Sequence, residues 1–165
     1  MLQENFYRGI SALKATGLVY DVLIYEKHLP FASQLVDRHP DQIFVLNHMA
    51  KPRIREREIS SWREQLQELA RRPHVYCKVS GLATEADWND WTTDDLRPYF
   101  EIALECFGQE RLLVGSDWPV CTVATSYHQW WHTLEELVSI LSVEEQSKIL
   151  GGNAWFVYNL EGESQ

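Results

Sequence analysis

The chain has 165 residues, of which 45% are hydrophobic, and this is enough apolar side chain for one globular domain with its own core. Its 24 acidic and 15 basic side chains give a formal charge of −9 at pH 7. A charge of this sign disfavours nucleic acid and anionic membrane surfaces, so neither is expected as a partner.

Four short apolar runs follow one another along the chain, and each precedes a segment with helical spacing. Pro30 can open the helix after the first run, because proline is tolerated in the first helical turn. A strand followed by a helix, repeated four times, is typical of a parallel sheet with helices packed on it. The runs cover residues 17–25, 43–52, 74–81 and 111–119.

Capping patterns predict where several helices begin. In two capping-box patterns a serine precedes a glutamate by three residues. A threonine pair ahead of acidic residues predicts the start of the clearest helix, which Gly108 is placed to end. The boxes are Ser61 to Glu64 and Ser142 to Glu145, and the threonine pair is Thr92 and Thr93.

The number of strand-helix units leaves two architectures open. Four units are half of an eight-unit barrel, which takes about 250 residues. Four parallel strands can also form a small doubly wound sheet, in which Asp117 would be a candidate phosphoacceptor. That fold gathers several acidic groups around its phosphoacceptor, and the other strand ends show no such cluster. Both architectures bring the carboxyl ends of the strands to one edge.

Polar side chains collect at the ends of the four runs. Each has a structural explanation: His48 as a satisfied core histidine, Lys78 as an ion-pair partner of Asp21 or Asp117, and Asp117 as a turn residue. Buried charges are costly unless they are paired or bind a metal, so their convergence favours a functional site. The set comprises Tyr20 and Asp21, His48 and Lys51, Lys78 and Ser80, and Asp117.

The chemistry that such a set supports is the activation of water. A carboxylate can take a proton from water while imidazole and ammonium groups stabilise the oxyanion that forms on a carbonyl. Histidine and aspartate are also suitable ligands for a divalent metal. The sequence contains no G-x-S-x-G, P-loop or G-x-G-x-x-G motif, so covalent serine catalysis and nucleotide binding have no motif behind them.

Four segments together resemble the amidohydrolase-related proteins, whose best-known members hydrolyse sugar lactones such as L-fuconolactone, or 2-pyrone-4,6-dicarboxylate. The resemblance extends from Phe6 to Leu160. It implies the α/β fold of a TIM-barrel-like metal-dependent hydrolase, a distorted (β/α)8 barrel present only as its C-terminal half of about four βα units. The segments are "FVLNHMAKP", "VYCKVSGLATEADW", "RLLVGSDWPVC" and "GGNAWFVYNL".

The resemblance also implies roles for single residues. Asp117 resembles the aspartate that activates the hydrolytic water, and His48 resembles the histidine at the end of a middle strand. If a metal is used, these two are its expected ligands, with one zinc ion as the expected cofactor; a metal-independent reaction stays open. Lys78 and Trp88 fall in the segment that lines the substrate pocket, and the strand-end positions add Tyr20 and Lys51 as substrate-binding candidates.

The sequence departs from the family pattern in one respect: it contains no His-x-His, the pair that ends the first strand in relatives. We therefore expect a single amidohydrolase-related domain over residues 1–165, truncated at its N-terminal side. The inner face and the two edge strands of a half barrel would be exposed, which predicts self-association.

The expected function is hydrolysis of a lactone or a related carbonyl compound, with a small-molecule lactone as the partner. The alternative is an inactive fragment or binding remnant. No signal peptide and no apolar run of the roughly 20 residues that span a bilayer are present, so we expect a cytoplasmic protein. Three cysteines without C-x-x-C spacing indicate neither a disulfide framework nor a cysteine zinc site.

Overall fold

A single parallel sheet of four strands forms the centre of the computed structural model, which describes residues 3–160. The strands lie side by side in chain order, with parallel pairing between each neighbouring pair. A doubly wound sheet reverses its strand order at a switch point, so this order favours the barrel arrangement. The strands are β1 (Tyr20–Val22), β2 (Phe44–Leu46), β3 (Val75–Val79) and β4 (Leu112–Val114).

Helices connect and cover these strands. The first precedes the sheet, and two short helices joined by a π turn close the described part of the chain. The helices are α1 (Glu4–Lys14), α2 (Leu29–Asp37), α3 (Ser60–Ala70), α4 (Leu82–Glu85), α5 (Thr93–Phe107), α6 (Tyr127–Val138), α7 (Val143–Ser147) and α8 (Asn153–Val157). Short helical turns lie at Glu26–His28, Asn47–Ala50, Val120–Val123 and Lys148–Gly152.

The structure confirms two of the three helix starts that the capping patterns predicted. At α5 the Thr92 hydroxyl accepts a hydrogen bond from the Asp95 backbone N–H, and the Asp95 carboxylate accepts one from the Thr92 backbone N–H. The predicted box at the start of α7 is present as well. The box at Ser61 is wrong: α3 has its cap at Ile59, two residues before the predicted cap, and Ile59 makes no side-chain hydrogen bond because an alkyl group has no acceptor.

The two faces of the sheet are covered differently. Its outer face packs against the helices and forms the main core, which includes Phe44, Cys77 and Leu112. On the inner face Val45 and Leu113 form a separate buried cluster with Val157 of α8. Further inner-face contacts come from Val19, Ile43, Tyr76, Ala154 and Tyr158.

The cluster of Val45, Leu113 and Val157 bears on the prediction that the inner face and the edge strands of the sheet are exposed. The prediction of an exposed inner face is wrong for the part of the sheet that α8 covers. Within residues 3–160, β1 pairs only with β2 and β4 only with β3, so each has one open edge. Self-association through these edges stays a prediction, as does the single truncated domain. Among the described residues, no helix has the length and apolar character needed to cross a membrane.

Candidate active site

Asp117 lies three residues beyond the end of β4, where the chain turns into the helical turn Val120–Val123. Its backbone is in the left-handed region, with φ of 55°, which aspartate adopts more readily than most residues do. Its carbonyl accepts a hydrogen bond from the Cys121 N–H at 2.8 Å. The side chain is only 11% exposed, so the carboxylate is held close to other groups at this edge of the sheet.

His48 follows β2 in an unusual left-handed turn. Four consecutive residues, none of them glycine, have positive φ values of 53°, 51°, 61° and 54°, and these are His48, Met49, Ala50 and Lys51. Left-handed backbone costs such residues roughly 1–2 kcal/mol each. Tertiary contacts offset this cost, because Met49 and Ala50 are fully buried and the Trp62 indole N–H donates to the Met49 carbonyl at 2.8 Å. Strain of this kind concentrates at functional sites.

His48 and Asp117 face each other at the carboxyl edge of the sheet. The His48 Nε2 atom lies 3.6 Å from Asp117 Oδ1, and His48 Nδ1 shares a hydrogen bond of 2.8 Å with Ser80 Oγ. Burial lowers the pKa of His48; the Asp117 carboxylate opposes this, and the ammonium groups of Lys51 and Lys78 add to it. The imidazole is therefore neutral at pH 7, the form that can bind a metal or polarise a carbonyl.

Gly81, the residue after Ser80, allows this pair to come together. A Cβ atom at this position would lie 2.9 Å from His48 Nδ1 and 3.0 Å from Asp117 Oδ2. Its φ of +65° is also one that residues with side chains rarely adopt. Sequence reasoning did not identify Gly81 as part of the site, although the Ser-Gly at the end of the third run was a signal of a close approach.

Lys78 forms an ion pair with Asp21 on the inner face of the sheet, and Asp21 is one of the two partners that the sequence analysis named for it. Its Nζ donates to Asp21 Oδ2 at 2.8 Å, and the other carboxylate oxygen of Asp21 accepts a 2.8 Å hydrogen bond from the Tyr158 hydroxyl. The ammonium also lies 5.3 Å from the centre of the Tyr158 ring. Tyr158 was not a predicted site residue.

Lys51 and Trp88 lie together beside this edge, around a cavity of about 400 Å³. The Lys51 ammonium donates to Glu85 at 2.7 Å and lies 5.6 Å from the centre of the Tyr25 ring. Trp88 is 54% exposed, and its indole N–H donates to the Thr84 carbonyl at 2.8 Å, which fixes the ring. All five residues line the cavity, and three of them, Tyr25, Thr84 and Glu85, were not predicted.

The structure does not bring Tyr20 to this group, so its predicted substrate-binding role is corrected. The Tyr20 ring packs edge-on against Phe6 and Phe44 on the outer face, with ring centres 5.9 Å and 6.2 Å apart. Successive side chains of a strand point to opposite faces, so the same alternation that turns Asp21 inward turns Tyr20 outward.

His48 and Asp117 fit part of a metal site. Ligand atoms about 2.0–2.2 Å from a tetrahedral zinc ion lie roughly 3.3–3.6 Å from each other, and the 3.6 Å between His48 Nε2 and Asp117 Oδ1 meets this requirement. Residues 3–160 contain no group of three or more histidine, cysteine or acidic side chains arranged to hold a metal. This part of the chain therefore offers two donors, whereas a catalytic zinc site has three protein ligands.

Comparison with known proteins identifies the family of this chain. The amidohydrolase family model matches residues 2–160. An L-fucono-1,5-lactonase of Burkholderia multivorans is 42% identical over 166 aligned residues, which cover 94% of this chain and 56% of the lactonase. The crystal structure of an amidohydrolase from Burkholderia multivorans with bound zinc has a TM-score of 0.90 at 42% identity, covering 96% of this chain and 58% of that one.

More distant structures extend the likeness of fold. A probable 2-pyrone-4,6-dicarboxylic acid hydrolase from Acinetobacter baumannii, with citric acid bound, has a TM-score of 0.80 at 16% identity. This chain covers 58% of the length of that hydrolase. The four-stranded half-barrel prediction is thereby confirmed, and this chain spans a little over half the length of the relatives it matches. The chain belongs to the amidohydrolase family.

Proposed function

We propose that this chain carries the water-activating half of a hydrolase that opens sugar lactones. The observation that supports this most strongly is the largely buried Asp117 carboxylate, which faces the His48 imidazole across 3.6 Å at the strand ends. The 42% identity to a protein named L-fucono-1,5-lactonase supports the choice of a lactone as substrate.

In the proposed reaction Asp117 takes a proton from water as the water oxygen bonds to the lactone carbonyl carbon. His48, held by Ser80, lies beside the developing oxyanion and helps to polarise the carbonyl. The tetrahedral intermediate then collapses, the bond from the carbonyl carbon to the ring oxygen breaks, and the protonated Asp117 returns its proton to that oxygen. The product is the open hydroxy acid, and Asp117 is again a carboxylate.

A divalent metal would be held by His48 Nε2 and Asp117 Oδ1, together with donors from outside residues 3–160. Bound there, it would lower the pKa of a coordinated water and polarise the carbonyl. A metal-independent reaction would use the same two side chains as base and electrophile.

The cavity beside the site suits the polyhydroxylated part of such a substrate. The Lys51–Glu85 pair offers both a donor and an acceptor to hydroxyl groups, and Trp88 presents the face of a fixed ring. Its volume of about 400 Å³ lies within the range of small-molecule sites. We propose that Lys51 and Trp88 bind the substrate there, and that Lys78 contacts it from the inner face.

The test is acid release by the purified chain on a panel of sugar lactones that includes L-fuconolactone, with and without added zinc. Asp117→Asn keeps the shape of the side chain but removes the base, so we expect kcat to fall by at least about 100-fold. Asp90→Asn, at an exposed loop aspartate, is the matched control and should keep full activity. Full activity in Asp117→Asn would refute the role of this residue.

A second function is favoured by the missing His-x-His: a non-catalytic chain that binds lactones without opening them. This alternative predicts that calorimetry detects lactone binding, and that no acid is released either with or without added zinc. Acid release that Asp117→Asn abolishes would exclude it.

A further inference from the structure

Three side chains from distant parts of the sequence form a connected chain on the inner face of the sheet. Asp21 of β1 accepts one hydrogen bond on each carboxylate oxygen, from Lys78 of β3 and from Tyr158 just beyond α8, both at 2.8 Å. Burial raises the pKa of Tyr158, and its hydrogen bond to Asp21 raises it further. The phenol is therefore protonated at neutral pH and is the donor in this bond.

The Lys78 side chain runs next to the candidate active site. A Cβ atom on Gly115 would lie 3.2 Å from Lys78 Cδ and 3.3 Å from Ser80 Cβ, so both side chains border the same narrow space. Ser80 is the residue that bonds His48. The Lys78 side chain is 19% exposed, so its ammonium is largely shielded from water.

We infer that Asp21 and Tyr158 are positioning residues that hold the Lys78 ammonium where it binds an oxygen of the lactone. The inference rests on the proposed function for the role of Lys78, but the positioning itself can be measured without turnover. It makes the C-terminal segment part of the site, although that segment lies far in sequence from Asp117 and His48.

The geometry explains why two partners are needed. A lysine side chain is long and flexible, and an ion pair to a carboxylate that can rotate restricts the ammonium only weakly. The Tyr158 hydroxyl fixes the second oxygen of Asp21 and so fixes the plane of the carboxylate that Lys78 meets. An ammonium has three N–H donors, and the bond to Asp21 uses one of them.

The experiment measures the mobility of lysine ammonium groups by ¹⁵N NMR relaxation in the whole chain. In Tyr158→Phe we expect the order parameter of the Lys78 ammonium to fall by about one third. Lys51, which pairs with Glu85 at 2.7 Å and has a similarly shielded side chain, is the internal reference and should not change. An unchanged Lys78 order parameter in Tyr158→Phe would overturn the inference.

Tyr99→Phe is the matched control variant. The Tyr99 hydroxyl is buried and has no hydrogen-bond partner in the described part of the chain, so its removal should leave both lysines as they are. If Tyr99→Phe loosens Lys78 as much as Tyr158→Phe does, the effect is general softening of the core, and the inference fails.

Kinetics then separate this inference from the proposed function. If the chain opens lactones, Tyr158→Phe should raise KM several-fold with a smaller effect on kcat, and Asp21→Asn should act in the same direction more strongly. If the chain releases no acid on any lactone, the proposed function fails, while the NMR result still decides whether Tyr158 positions Lys78. Unchanged KM in both variants of an active chain would remove the assigned role in binding.

Discussion

Single residues determine how closely the reacting groups of this site approach one another. His48 and Asp117 come from different loops, and Gly81 lies against both of them without a side chain. The absence of a Cβ atom at Gly81 therefore determines how closely the two side chains can approach each other. Catalytic efficiency is sensitive to displacements of this size, because a shift of about 1 Å can lower the rate about 100-fold.

This dependence predicts the effect of Gly81→Ala. The new methyl group would lie 2.9 Å from His48 Nδ1, so the imidazole must move, and we expect lactone hydrolysis to fall by about 100-fold. The left-handed backbone adds a loss of about 1 kcal/mol in stability. Steady-state kinetics and urea unfolding measure the two effects.

Gly17→Ala is the control for the backbone effect. Gly17 has a similar φ of +69°, but a Cβ atom there would have no neighbour within 4 Å. This variant should lose similar stability and keep its activity. If Gly81→Ala were as active as Gly17→Ala, the crowding argument would be wrong.

At the scale of residues, sequence reasoning identified those that end an apolar run and missed those brought in from afar. Asp117 and His48 were found because each follows a strand, and strand ends meet at one edge. Tyr158 bonds Asp21 across 137 positions, and no local pattern signals such a contact. Tyr20 was named as a substrate-binding candidate because a three-residue strand shows too little alternation to indicate which of its residues face inward.

At the scale of elements, substitutions at the predicted capping residues test which of them cap a helix. Thr92→Ala removes the hydroxyl that accepts the Asp95 N–H, so the free energy of unfolding should fall by about 1 kcal/mol. Ser61→Ala should change it by less than about 0.5 kcal/mol, because Ser61 is an exposed residue inside α3 and not its cap. Urea unfolding of both variants beside the parent measures the difference, and equal losses would contradict the observed caps.

The turn that carries His48 shows what local patterns miss at this scale. Left-handed backbone is signalled by glycine or asparagine, yet His48, Met49, Ala50 and Lys51 all adopt it in a row. The burial of Met49 and Ala50 imposes this conformation, so it follows from tertiary packing. The strands themselves were located correctly because each lies within a run of mostly apolar residues.

At the scale of the whole molecule, partly buried histidines link stability to pH. Burial lowers the pKa of His48, His39 and His74, so the fold favours their neutral forms. The unfolded chain binds these protons at about pH 6.5. The unfolded state therefore takes up more protons as pH falls through this value, and the free energy of unfolding should decrease.

Urea unfolding at about pH 7.5 and about pH 5 tests this prediction. The carboxyl groups whose pKa values are lowered contribute stability that is lost mainly below about pH 4, outside this window. His39→Gln should reduce the decrease between the two pH values. A free energy of unfolding that is equal at both pH values would contradict the conclusion that the fold favours the neutral forms of these partly buried histidines.

The position of α8 has a consequence for the order of events during synthesis. The four strands are complete once Val114 has been made, but the helix that covers their inner face begins only at Asn153. About 40 residues lie between them, which at roughly 5–20 residues per second amounts to roughly 2–8 seconds of translation. For that interval the nascent sheet exposes Val45 and Leu113, a surface that a molecular chaperone would recognise.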